Sequence, residues 1–245
     1  MGEMRLWNGS EFQLLRFLGR HRTVLERAIL RDTNINPDLD YQMEWVDFWY
    51  SGDSVFDVEL TGPDFLYNEK LIDVHGLAEK WENYWPQTDT SQSWDAVLNC
   101  IPLFPTKKPE KWVIVDAKAH LEELESSSQA GTESRKIIEK AFEETKGRFK
   151  IKTENSWFDK YYQLANRLAF INFMLSNNIE VSLLNIYFID GWPDDTSKNV
   201  PSREIWEEKI KDEYKYLGLN GNTNKYISEI FIRCKGPIIR CKGHR

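Results

Sequence analysis

A chain of 245 residues with 41% hydrophobic and 29% charged side chains has the composition of an ordinary globular protein, which excludes a disordered or fibrous chain. No apolar run approaches the ~20 residues of a membrane-spanning helix, and no basic-then-apolar leader opens the sequence, so a cytoplasmic protein without membrane partners is expected. The net charge of -7 counts against indiscriminate binding to nucleic acid.

In chain order, Ser10 can cap a helix over residues 11–31. Its apolar stripe runs Phe12, Leu15, Leu18, Val24, Leu25, Ala28 and Ile29, with a possible break at Gly19. Residues 34–40 read as a turn around Pro37. The β-like runs 43–50 and 55–60 flank Ser51-Gly52-Asp53 as a hairpin. Residues 77–84 form a short helix closed by Pro86. Two apolar strands follow, near 93–100 and 112–119, joined by a connection rich in proline (Pro102, Pro105, Pro109).

The acidic, serine-rich stretch 122–132 reads as a mobile loop. A helix is expected over 133–146, and a stronger one over 157–176 with the stripe Tyr161, Leu164, Leu168, Ile171 and Leu175. A buried strand over 181–189, a surface helix over 202–217 stopped by Gly218, and a last strand over 227–233 complete the chain. There is no internal repeat. The order favours one α/β domain spanning 1–245, a mixed sheet flanked by helices. The helix 11–31 and a basic tail 233–245 are additions to its core.

Charge is polarised. Residues 5–31 hold Arg5, Arg16, Arg20, Arg22, Arg27 and Arg31 against Glu11 and Glu26. Arg233, Lys235, Arg240, Lys242 and Arg245 crowd the tail. These ends are either solvated faces or grips for phosphate. Cys100, Cys234 and Cys241 show no paired spacing and read as reduced thiols.

The chemistry concentrates in Trp112-Val-Ile-Val-Asp-Ala-Lys-Ala-His120. In a strand, side chains alternate, so Asp116 and Lys118 share one face and His120 follows on it. If the strand that Asp95 opens is a neighbour, two carboxylates and a lysine converge. That trio suits metal-assisted phosphodiester hydrolysis, because two carboxylates hold a hard cation while an ammonium stabilises developing charge. The bland alternative is a plain ion pair at a strand end, with Asp95 as a turn residue or cap.

Asp95, then Asp116-Ala117-Lys118, then a helix carrying Tyr161-Tyr162-Gln163-Leu164-Ala165-Asn166-Arg167, resembles the PD-(D/E)xK nuclease superfamily over roughly residues 77 to 190. It is similar to a bacterial branch with Trp-Asp-Ala and Asp-Ala-Lys-Ala-His elements. Two departures from the commonest form stand out: Trp94 precedes Asp95 where proline is usual, and Asp116 stands where glutamate is usual. The resemblance implies a restriction-endonuclease-like core and Mg²⁺, replaceable by Mn²⁺, held by Asp95, Asp116 and the Ala117 carbonyl. Lys118 and Gln163 would be catalytic, and the substrate nucleic acid, most simply DNA.

Auxiliary roles are open for His120, for Arg167 as a phosphate clamp or a partner of an acid such as Glu133, and for Glu26 or Glu79 as an extra acid. Trp81, Trp85, Trp94 and Trp112 read as core. A homodimer is compatible with the sequence. The rival is a catalytically inactive nuclease-like domain that binds nucleic acid or protein. The geometric criterion is two adjacent strands whose carboxylates lie about 4–6 Å apart, given oxygen ligands at roughly 2.0–2.6 Å. Strands that lie apart, or an Asp116 side chain buried against an arginine in the core, would overturn the nuclease reading.

Overall fold

The β-branched run at Trp112–Val115 forms the middle of a five-stranded mixed sheet in the computed structural model, which describes residues 9–35, 41–46, 60–68, 76–87, 92–103, 109–189 and 201–234. Among these residues the strands are β1 (Tyr41–Val46), β2 (Leu60–Thr61), β3 (Ser93–Trp94), β4 (Ala96–Pro102), β5 (Lys111–Lys118), β6 (Glu180–Ile189) and β7 (Ile227–Arg233). The helices are α1 (Ser10–Arg20), α2 (Arg22–Asp32), α3 (Phe65–Asn68), α4 (Leu77–Tyr84), α5 (Thr132–Phe149), α6 (Tyr162–Ser176), α7 (Arg203–Leu217) and α8 (Gly221–Asn224).

The sheet order is β1-β4-β5-β6-β7, and β2 pairs with β3 in a separate ribbon. The pairs β1–β4 and β4–β5 are antiparallel, whereas β5–β6 and β6–β7 are parallel. Parallel strands need crossover connections, and α5 with α6, then α7, supply them. The crossover helices cover one face and the N-terminal helices α1 and α2 the other, which is why β5 and β6 are apolar on both sides.

Alternation divides β5 between two cores. Trp112 and Ile114 face α5, α6 and α7, among Phe142, Leu168, Phe170 and Trp206. Val113, Val115 and Ala117 face α1 and α2, among Leu14, Phe17, Leu25 and Ile29. The result is a three-layer α/β arrangement. No helix among the described residues is long and apolar enough to cross a membrane.

Several expectations shift. The N-terminal helix is two helices that break at His21, not at Gly19, and they cover one face of the sheet. The expected hairpin at Ser51-Gly52-Asp53 and the tail beyond Cys234 lie outside the described residues, as does Cys241. Cys100 and Cys234 are buried thiols. Helix α6 starts at Tyr162, because Tyr161 adopts a left-handed conformation (φ 58°). It is buried nearly all round, from Leu164 to Met174, so its sequence carries little stripe.

The stretch after β5 is tied down rather than loose. Glu123 accepts the Ala119 amide at 2.8 Å, the Ser126 hydroxyl and carbonyl accept the Gln163 and Tyr162 amides, and the Ser128 amide bonds the Phe158 carbonyl. The largest correction concerns α7. Its cap and stop are as expected, but Trp206, Ile210, Glu213 and Leu217 are buried. Trp206 is fully enclosed and donates its indole N–H to the Phe188 carbonyl at 3.0 Å.

A docked α7 predicts that Trp206→Ala lowers stability by about 3–5 kcal/mol, the usual cost of emptying a buried aromatic site. Urea melts measure this. A change within about 0.5 kcal/mol is what a surface helix gives, and it would contradict this packing.

Candidate active site

Asp95 sits where the chain leaves one pairing for another. Before it, Leu60 pairs with Trp94 in the small ribbon; after it, Ala96 pairs with Val115 in the main sheet. Trp94 is fully buried, its indole bonded to the Gly62 carbonyl at 2.7 Å and its ring 4.5 Å from Phe170. With both neighbours pinned, the Asp95 carboxylate is aimed at the next strand. Its Oδ2 accepts the Ala117 amide at 2.6 Å.

That amide lies past the last β4–β5 pair, Ala96 with Val115, and would otherwise lack a partner on this side. A residue's N–H and C=O leave a strand on the same edge, so the Ala117 carbonyl also faces the gap beside Asp95.

Asp116 and Lys118 project together beneath α6 and α7, as alternation requires. Asp116 is 5% exposed, and its Oδ1 takes both Lys118 Nζ at 2.9 Å and Arg167 Nη2 at 3.3 Å. Arg167 comes from α6, is 4% exposed, and lies over the Trp94 ring at 4.9 Å. Its partner is therefore Asp116 and not Glu133, which is exposed and pairs with Lys136. The strands that follow Asp95 and carry Asp116 are adjacent. The opposing feature, an arginine on a buried Asp116, is present as well.

Burial is the largest influence on both acids, with opposite outcomes. Burial, then the charge of Asp116, pushes Asp95 up to about 6, against the pull of Lys118, the Ala117 amide and Arg167. Burial also raises Asp116, but Lys118 and Arg167 together outweigh it and hold that carboxyl below its ordinary value.

Gln163, on the first turn of α6, faces the same cleft as Asp116, Lys118, Glu123, Tyr187 and Glu213. The space there is about 10 Å³, room for about one water. Glu213 and Glu123 were not anticipated as site residues. Glu213 had a signal: it is the lone acid in the spacing Trp206, Ile210, Glu213, Leu217, a one-sided stripe. Burial, then Asp116, raises the Glu213 carboxyl well above the carboxylate range, and Lys118 only partly offsets this.

Three anticipated residues are not brought in. Glu26 lies on the α2 side of the sheet and accepts the Trp45 indole at 3.1 Å. Glu79 is exposed on α4. His120 lies beyond the end of β5, does not line the cleft, and leaves a buried Nδ1 without a partner. The four tryptophans 81, 85, 94 and 112 are core, as read.

The donors suit a hydrated hard cation. Among the described residues nothing bonds to Asp95 Oδ1 or Asp116 Oδ2, and Mg²⁺ is commonly held by one or two carboxylates while keeping several waters. Among the same residues no three His, Cys, Asp or Glu side chains form a cluster able to cage a metal. Comparison of the sequence with known family models, with curated proteins and with solved structures returned no match.

The raised Asp95 carboxyl has a pH signature. Its proton is held more tightly in the fold than in the unfolded chain, so its contribution is complete below about pH 4 and is lost as pH rises through about 6. Asparagine keeps an acceptor for the Ala117 amide but escapes that loss. In EDTA, the stability of Asp95→Asn relative to wild type should grow from pH 4 to 6 and then level, by on the order of 2–3 kcal/mol for a shift of about two units. A difference independent of pH would mean that Asp95 is not strained by its surroundings.

Proposed function

We propose that this chain is a divalent-metal-dependent nuclease of the PD-(D/E)xK kind, hydrolysing phosphodiester bonds in nucleic acid, with DNA the expected substrate. One observation carries the reading: the Asp95 carboxylate is bonded to the amide of Ala117, the residue between Asp116 and Lys118. Two acids, a main-chain carbonyl and a lysine thus meet at the ends of adjacent strands. The strand order supports it too, with antiparallel β1, β4 and β5 followed by a helical crossover to parallel β6.

Asp95, Asp116 and the Ala117 carbonyl would hold Mg²⁺, which when bound lowers the pKa of water and polarises a phosphoryl oxygen. The rest falls to side chains. Asp95 and Asp116 set the carboxylate face against which the phosphate lies. Lys118 presents an ammonium beside that face, where it stabilises the charge developing on phosphorus oxygens. Gln163 offers an amide to orient a water. Arg167, stacked on Trp94, fixes the rotamer of Asp116. The arginine-rich helices α1 and α2 lie on the other face of the sheet, and Arg16 there bonds the Gln13 side chain and the Cys234 carbonyl. Phosphate contacts near the site must come from elsewhere.

The second reading, a nuclease-like module that binds without cleaving, is favoured by the closed triad Lys118–Asp116–Arg167.

A plasmid-nicking assay beside a thermal melt separates the two. The wild type should nick DNA with Mg²⁺ or Mn²⁺, with Ca²⁺ supporting binding more than turnover. Lys118→Ala should abolish cleavage. Because Arg167 stays on Asp116, its stability should fall by less than the ~3–5 kcal/mol of an orphaned buried charge. An equally active Lys118→Ala refutes the catalytic role. A folded wild type inert on duplex and single-stranded DNA and RNA selects the binding module.

A further inference from the structure

We propose that the cavity at the amino ends of β5, β6 and β7, beside the end of α2, binds a small phosphate monoester. Lys225, Ser182, Ser228 and Asn34 are its oxyanion donors, and Val113 and Ile35 meet the apolar part of the ligand. The cavity measures about 330 Å³, within the size range of small-molecule sites. It lies at the opposite end of β5 from Asp116 and Lys118, roughly 20 Å away along a strand that rises about 3.3 Å per residue. It therefore stands whether or not phosphodiesters are cleaved at the acids.

The argument starts from side-chain alternation on the face toward α1 and α2. On β6, Glu180 and Ser182 precede Leu184, Ile186 and Phe188. On β7, Ser228 precedes Ile230 and Ile232, and on β5, Lys111 precedes Val113 and Val115. Each parallel strand thus enters this layer polar and becomes apolar. Register sets the polar positions together: Lys111 lies beside Glu180, Val113 beside Ser182, and Leu184 beside Ser228. Helix α2 ends at Asp32, and Asn34 and Ile35, just past that end, line the cavity with these strand residues. Sheets with parallel strands more often bind ligands at the carboxyl ends; here the polar row at the amino ends makes the site.

The lining decides the class of occupant. Glu180, its one acid, is offset by Lys111 at 3.7 Å, and Lys111 also lies 4.8 Å from the Tyr41 ring. Lys225 is exposed, lies 4.7 Å from the Tyr226 ring, and has no carboxylate partner among the described residues. Among the same residues the half-buried Ser182 and Ser228 hydroxyls and the Asn34 amide have no hydrogen-bond partner. One uncompensated ammonium, two hydroxyls and an amide therefore face one cavity. That set disfavours a cation and suits an oxyanion. A phosphate monoester offers three terminal oxygens to these donors where a carboxylate offers two, and lysine binds phosphate as a point charge. The cavity is larger than phosphate alone, and buried Val113 and Ile35 give it an apolar side. The phosphate therefore carries an organic body of about sugar size.

The test is calorimetric titration of ribose 5-phosphate, inorganic phosphate, ribose and succinate into the full-length protein in EDTA. Ribose 5-phosphate should bind, inorganic phosphate more weakly, and ribose not at all. Lys225→Glu should weaken ribose 5-phosphate by at least about tenfold, as should Ser182→Ala combined with Ser228→Ala, since each removes hydrogen bonds to a charged group. Thermal melts of the variants keep loss of binding distinct from loss of folding. Lys211→Glu makes the same charge change at an exposed position on α7 and should bind as wild type does. Asp95→Asn should also bind as wild type; binding abolished there places the phosphate at the acids and overturns the proposal. Succinate bound as tightly as ribose 5-phosphate overturns the phosphate assignment. No binding of either phosphate at millimolar concentration, or affinity unchanged in both the Lys225 and the serine variants, overturns the site. Binding lost in those variants supports it, even if the protein cleaves no nucleic acid.

Discussion

A negative charge at Asp116, in the floor of the larger core, is the constraint around which this half of the molecule is arranged. An ionised carboxylate cannot sit among apolar side chains without compensation. Two cations converge on its Oδ1, one from its own strand and one from α6. Arg167 must then be buried too, and its guanidinium is sheltered by the Trp94 ring. Trp94 in turn is anchored to the Gly62 carbonyl. Charge, cation, aromatic face and ribbon form one dependent series, and Asp95 sits at its end because it follows Trp94.

The same geometry shows why the site lies where it does. β5 outruns β4 by several residues, so its last turns of backbone have a neighbour on the β6 side and none on the other. Asp95 fills that gap. Across the parallel strands the polar row continues, with Asp116 beside Asn185 and Asn185 beside Glu229 in register. Ligands of sheets with parallel strands gather at the carboxyl ends of those strands, and the polar row sits toward that end.

Much of this was legible before any coordinates. The strand around Trp112, the position of Asp95 one strand earlier, and the shared face of Asp116 and Lys118 follow from β-branching and a period of two. Limits of the final strand at 227–233 and the helix at 77–84 are as read. What was not legible is docking. Periodicity identifies an apolar stripe on α7 only weakly when charged residues outnumber apolar ones, so Glu213 looked solvated. The choice between Glu133 and Asp116 as partner of Arg167 depends on how α6 lies across β5, which no local pattern encodes. The stretch 122–132 looked loose because most of its anchors are main-chain groups and serines, which carry no period.

Ala117 occupies both worlds at once. Its methyl group is 1% exposed in the core beneath α1 and α2, while its main chain is bound by Asp95 at the edge of the opposite layer. The smallest chiral side chain thus leaves the peptide free to sit at the depth the carboxylate requires. Any pressure on that methyl, from a bulkier residue or from a shifted N-terminal helix, is conveyed through one peptide unit to the acidic pair. The two layers of this protein are thereby mechanically linked, and the arginine-rich helices, remote from the acids in space, are only one residue's thickness away from them in effect.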